Sequence, residues 1–123
     1  MTQYNNDNSL NFKQVEFKGN SREALKAFPK KAKQDAGFAL DEVQQGREPS
    51  DFKPMTTIGK GVYELRITIP PKRQYRVVYV AKFDNFVYVL HAFQKTTEQT
   101  ANHDLETGRK AYRALLDELK AKK

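Results

Sequence analysis

The stretch YELRITIPPKRQYRVVYV, residues 63–80, restricts what this chain can fold into more than any other. Apolar residues recur at every second position, at Leu65, Ile67 and Ile69 and again at Tyr75, Val77 and Tyr79, the period of a strand with one buried face. Pro70, Pro71, Lys72 and Arg73 lie between the two runs, and a proline pair interrupts a hydrogen-bonded ladder, so the runs form an antiparallel pair joined by a turn. If Ile69 faces Arg73 across that turn, then Arg66 faces Arg76. Like charges directly opposite each other destabilise a sheet, by roughly a few tenths of a kcal/mol. The pair therefore invites an anion between its guanidinium groups, and removing Arg76 is expected to leave stability unchanged or slightly raised.

The remaining elements follow from period and punctuation. LNFKQVEF, residues 10–17, has apolar residues at Leu10, Phe12, Val15 and Phe17, a strand pattern with a slip in phase that reads as a bulge. Asn20 and Glu23 form a capping-box pattern before a short helix containing Ala24, Leu25 and Phe28, which Pro29 ends. Ala32, Ala36, Ala39, Leu40 and Val43 then recur at helical spacing, with Gly46 as the C-terminal stop. Residues 47–61, with two prolines and two glycines, read as a loop. Strands are predicted over 62–69, 74–82 and 86–94, with Asp84-Asn85 as the second turn. That turn sets Phe83 against Phe86, Arg76 against Phe93 and Val78 against His91. Leu105, Tyr112, Leu115, Leu116 and Leu119 mark an amphipathic C-terminal helix. The fold class is therefore α+β: a small antiparallel sheet with two N-terminal helices packed on one face, followed by a C-terminal helix. One domain over 1–123 is expected, with the polar, asparagine-rich residues 1–9 disordered.

Strict alternation divides the sheet into two faces. Tyr63, Leu65, Ile67, Ile69, Tyr75, Val77, Tyr79, Ala81, Tyr88, Leu90 and Ala92 make a face for the helices. Glu64, Arg66, Arg76, Val78, Val89, His91 and Phe93 make the other, which is expected to be polar and concave.

Charge says what such a face is for. The chain of 123 residues carries a formal net charge of +7. Residues 51–100 hold eight Lys/Arg against four Asp/Glu, whereas residues 1–50 hold eight against seven, so the excess lies on the strands. A basic surface of this kind fits a polyanion, nucleic acid being the commonest. Planar arginine forks donate paired, charge-assisted hydrogen bonds to phosphate. His91 has the one side chain on this face whose ordinary pKa lies near neutrality, which suits proton transfer, and Glu64 is the alternative base. Lys95 follows the last strand and reaches toward the same place. Lys53, Lys60 and Arg73 are further contacts for a nucleic-acid strand, and Phe93 can stack on a base. With no cysteine and two histidines, neither a disulfide framework nor a zinc cage is expected, and no cofactor or metal is called for. MTQYNNDNS has no basic segment followed by an apolar run, and no stretch approaches the roughly 18 apolar residues of a membrane helix, so a soluble, cytoplasmic chain with no membrane partner is expected.

The pieces VEFKGNSREALKAFP, DFKPMTTIGKGVYELRI, YRVVYVAKF and VYVLHAFQKTTEQT, in that order, resemble the RelE/HigB superfamily of bacterial toxins, in particular its phage-derived, Gp49-like branch. The resemblance implies a toxin of a type II toxin–antitoxin system. Such a toxin is an endoribonuclease that cuts messenger RNA in the ribosome without metal, through attack of the RNA 2′-hydroxyl on the adjacent phosphate, and a cognate antitoxin protein restrains it. Arg66 and Arg76 match the superfamily's sheet arginines, Lys95 matches its basic residue after the last strand, and His91 lies in the strand where some members place active-site residues. Relatives often run K-K-T-x-K-T where this chain has KTTEQT, so Thr96 and Gln99 occupy positions that are basic elsewhere. The gyrase-poisoning ParE toxins share the fold and do no RNA chemistry, so a ParE-like toxin and a non-enzymatic nucleic-acid-binding module remain the alternatives.

Overall fold

The computed structural model describes residues 12–122. Its elements are β1 (Gln14–Phe17), α1 (Ser21–Lys26), α2 (Lys30–Gln44), β2 (Phe52–Pro54), β3 (Val62–Ile69), β4 (Arg73–Val80), β5 (Phe86–Lys95) and α3 (Asn102–Ala121). The strands form one five-stranded sheet in the order β1-β5-β4-β3-β2. The pairings of β2 with β3, β3 with β4 and β4 with β5 are antiparallel. β1 joins the outer edge of β5 in parallel. The α+β expectation therefore holds, with the expected first strand, β1, at one edge of the three-stranded centre and an additional short strand, β2, at the other. Leu10 and the expected disorder of residues 1–9 lie outside the described residues.

Local chemistry explains most boundaries. Pro29 sits at the N-cap of α2 with an extended ψ of 156°, which separates the two N-terminal helices. At the other end Gly46 takes φ +78°, and its N–H and that of Arg47 donate to the carbonyls of Val43 and Glu42 at 3.0 and 2.9 Å. That is a Schellman closure, and the left-handed residue in it favours glycine. The capping box is not made: the Asn20 side chain forms no cap hydrogen bond at α1. β2 sits inside the stretch read as a loop; three residues are too few to show a period, and Pro54 is tolerated because β2 is an edge strand.

α1 and α2 bury Leu25, Phe28, Ala32, Ala36 and Leu40 against Leu65, Ile67, Tyr75, Val77 and Tyr79 on one face of the sheet. The opposite face is not uniformly polar. Met55, Val62, Val78, Val80, Tyr88 and Leu90 form a second core there beneath Tyr112 and Leu115 of α3. Tyr88 and Leu90 are on this face, and Val89 on the other, because the β4–β5 register shifts after Val78. Val78 faces His91 and Arg76 faces Phe93, as the turn predicts, but Tyr79 then faces Val89 rather than Leu90. The extra residue is a β-bulge, and it exchanges the faces of the first half of β5.

α3 covers one half of that second face. Asp104 in its first turn meets His91 midway along β5, while Leu116, Leu119 and Lys120 at its far end line a groove with Phe83 beside the β4–β5 turn. Toward Pro70–Pro71, whose peptide bond is cis, the other half carries no helix among the described residues.

Candidate active site

On the face that carries α3, successive cross-strand rows run from the edge of that helix toward the β3–β4 turn. Lys53, Glu64, Val78 and His91 form one row across β2, β3, β4 and β5. Arg66, Arg76 and Phe93 form the next, and Thr68, Gln74 and Lys95 the last. Side chains two residues apart on a strand share a face, so the alternation that builds the strands delivers these groups to one side.

The opposed arginines are confirmed in register, but each has its own carboxylate. Arg66 is at the surface, and its Nε donates to Asp51 Oδ1 at 2.8 Å. Arg76 is 5% exposed, and its Nε lies 3.5 Å from Oε1 of Glu64, which is fully buried. Arg76 Nη1 donates to Gln74 Oε1 at 3.1 Å and to the Tyr75 carbonyl at 3.0 Å. Neither Arg76 Nε nor Glu64 Oε1 completes a hydrogen bond, so this pair is an electrostatic contact with both atoms under-satisfied. The connector after β5 also meets this pair: the Thr100 hydroxyl donates to Glu64 Oε2 at 3.4 Å. The expectation of an unrelieved arginine pair whose removal costs no stability is therefore reversed. Arg76 is a buried partner of a buried acid.

Cations still outnumber anions here. Lys53, Arg66, Arg76 and Lys95 stand against Glu64 and Asp51. Burial holds the Lys95 ammonium below the usual lysine range, and the positive charge of Arg76 pushes it the same way, with Lys53 and Arg66 adding to it and Glu64 opposing. Burial likewise lowers Arg76, countered by Glu64 and reinforced by Arg66. Groups that depress one another's protonation in this way form a site where an added anion relieves repulsion.

His91 is set apart from this cluster. Its Nε2 lies 2.7 Å from Asp104 Oδ1, and its ring stacks on Phe93 at 4.9 Å with 19° between planes. It also lines a groove of about 550 Å³ between α1 and α3, with Lys18 and Lys110 at the rim.

A comparison with protein families matches residues 23–113 to the family described as "Phage derived protein Gp49-like (DUF891)". The chain belongs to that family. The Gp49-like family is of the RelE-toxin type, which agrees with the order of elements. No curated protein matches the chain in a sequence search. No helix among the described residues of this Gp49-like protein is long and apolar enough to cross a membrane.

The sites anticipated from sequence divide accordingly. Arg66, Arg76, Lys95 and Lys53 converge, and Phe93 and His91 adjoin them in the same rows. Lys60 does not join them. It is exposed at the far end of β3, where its carbonyl accepts from Lys82 Nζ at 2.7 Å. Arg73 faces Ile69, whose side chain belongs to the core under α1 and α2, and directly opposed residues share a face, so Arg73 lies on the α1–α2 face, away from the cluster. Asp51, Thr100 and Asp104 escape the sequence reading because each reaches its partner through the tertiary fold. The one local signal is that Asp104 lies in the first turn of a helix, where a carboxylate is favoured.

Proposed function

We propose that this protein is the toxin of a type II toxin–antitoxin pair and acts as an endoribonuclease on messenger RNA held in the ribosome. The observation that carries the proposal is the cluster of Arg66, Arg76 and Lys95 on the half sheet that α3 leaves uncovered. RNA contains its own nucleophile. The 2′-oxygen attacks the adjacent phosphorus, the bond from phosphorus to the 5′-oxygen breaks, and a cyclic phosphate and a 5′-hydroxyl remain. The protein then has to orient the strand, accept a proton and stabilise the charge that develops on the phosphate.

Arg66 is the exposed fork that meets the phosphate, exchanging Asp51 for it. Arg76 and Lys95 supply fixed positive charge from below and beside it. A preorganised donor of this kind is worth roughly 2.7–4 kcal/mol in the transition state. Lys53 lies next to Arg66 on the neighbouring strand and guides the incoming strand of RNA, while Phe93 supports the row from its end. The net charge of +7 favours association with the ribosome, and a cognate antitoxin, acidic or amphipathic, restrains the toxin by covering the basic surface around Arg66.

The test is cleavage of a defined messenger RNA on purified translating ribosomes, with the cut sites mapped and gyrase supercoiling assayed in parallel. Cleavage that falls about 10²–10³-fold in Arg66→Ala supports the proposal. Gyrase inhibition by a protein that cuts no RNA replaces it with the ParE-like reading.

A further inference from the structure

We infer that Asp104 is the positioning residue that makes His91 a general base, holding the imidazole proton on Nε2 and leaving the Nδ1 lone pair to take the 2′-hydroxyl proton of RNA. The inference rests on the ribonuclease proposal and deepens it by choosing the base and its working atom.

Asp104 is 8% exposed, in the first turn of α3, and a carboxylate is seldom so buried without partners. It has two. Oδ1 lies 2.7 Å from His91 Nε2, and Oδ2 lies 3.3 Å from Nε2 of His103, which is at the surface. An ionised carboxylate only accepts hydrogen bonds, so the 2.7 Å contact requires the proton on Nε2. A neutral imidazole has one such proton, and Nδ1 is then the unprotonated nitrogen. The stacked Phe93 ring fixes the imidazole plane from one side, so the tautomer and the ring orientation are set together.

When Nδ1 accepts the proton as the bond from the 2′-oxygen to phosphorus forms, both ring nitrogens carry hydrogen and Asp104 balances the new charge. The departing 5′-oxygen takes a proton from water. His91 lies one row from the cation cluster: it is two residues along β5 from Phe93, a step of about 7 Å on the same face, and Phe93 faces Arg76 on the neighbouring strand. The charged and titratable groups around the ring are Asp104, His103 and Lys110 from α3 and Lys18 from the connection before α1. Glu64 belongs to the same row, but Val78 separates it from His91.

The test couples ¹⁵N NMR of the histidine rings in the full chain with rates of RNA cleavage for the parent protein and for Asp104→Asn, which preserves side-chain size. The parent is expected to carry its neutral-ring proton on Nε2 of His91. Asp104→Asn is expected to cut RNA about 10²–10⁴-fold more slowly. Its His91 ring is expected to lose the exclusive Nε2 tautomer, because the ionised acceptor that holds that proton is gone. A parent ring protonated at Nδ1 overturns the inference, as does a folded Asp104→Asn protein with an unchanged rate or with a slower rate and an unchanged tautomer. If the parent cuts no RNA, the ribonuclease proposal and the base role fail together; cleavage by a parent with the other tautomer removes the role of Asp104 alone.

Discussion

Arg76 is held below the surface with its Nε 3.5 Å from a fully buried Glu64, and the consequences of that placement can be measured. Arg76→Ala strands the carboxylate without its nearest counter-charge, and breaking a buried pair in this way costs about 3–5 kcal/mol. Urea unfolding should show that loss, and replacing both residues together, Arg76→Met with Glu64→Leu, should restore most of it. Arg66→Ala removes only a surface pair with Asp51 and should change stability by less than about 1 kcal/mol, which makes it the cleaner probe of chemistry. Lys95 gives a pH prediction. Its folded-state pKa lies below the ordinary lysine value, so the folded protein sheds this proton first as pH rises, and between the lowered and the ordinary value the unfolded chain binds more protons and stability increases with pH. The charge needed for RNA is lost over the same window, so Lys95→Arg should move the alkaline limb of cleavage to higher pH. Facing arginines were legible in the sequence because a turn and a period of two define a register. The burial of Arg76 was not, because it depends on tertiary packing around its partner Glu64, which Thr100 reaches from the connector after β5.

At the scale of elements, the two sheet faces depend on one bulge and one helix. VYVLHAF is apolar at both parities, so alternation alone could not reveal that the register slips between Val78–His91 and Tyr79–Val89. The slip supplies Tyr88 and Leu90 to α3, which closes half of what would otherwise be an open face. Strand ends at Val62, Ile69 and Phe86 were legible because prolines, glycines and Asp84-Asn85 surround them, and Asp84 does take a positive φ of 49°. How α3 docks was not legible, since an amphipathic helix does not name the face that receives it. Leu115, with no exposure, anchors that docking. Leu115→Ala should cost about 2–5 kcal/mol in thermal or urea unfolding, through lost burial and the cavity left behind. Gly59 marks the same contact from the loop side. A Cβ there would overlap the Tyr112 ring, so Gly59→Ala should destabilise by about 1–3 kcal/mol, and Tyr112→Leu in the same chain should recover part of it.

For the whole molecule, the distribution of charge matters more than its total. The excess of cations over the strands was legible from a count by segment, and the fold concentrates part of it on the half sheet free of α3 while leaving Lys60 at the other end. Single-stranded RNA binding should therefore weaken with salt, and each phosphate-contacting lysine removed should flatten the log–log slope by about 0.7. Lys53→Ala and Lys95→Ala should each do so, whereas Lys60→Ala should leave the slope unchanged. The most direct measurement of the central claim is messenger RNA cleavage on translating ribosomes by the parent, Arg66→Ala and Lys95→Ala proteins, each shown to be folded by its melting curve. Discrete cuts by the parent, reduced about 10²–10³-fold in Arg66→Ala and weakened in Lys95→Ala at unchanged melting temperature, are the predicted result. Undiminished cleavage by both folded variants would contradict the assignment of catalysis to this half sheet.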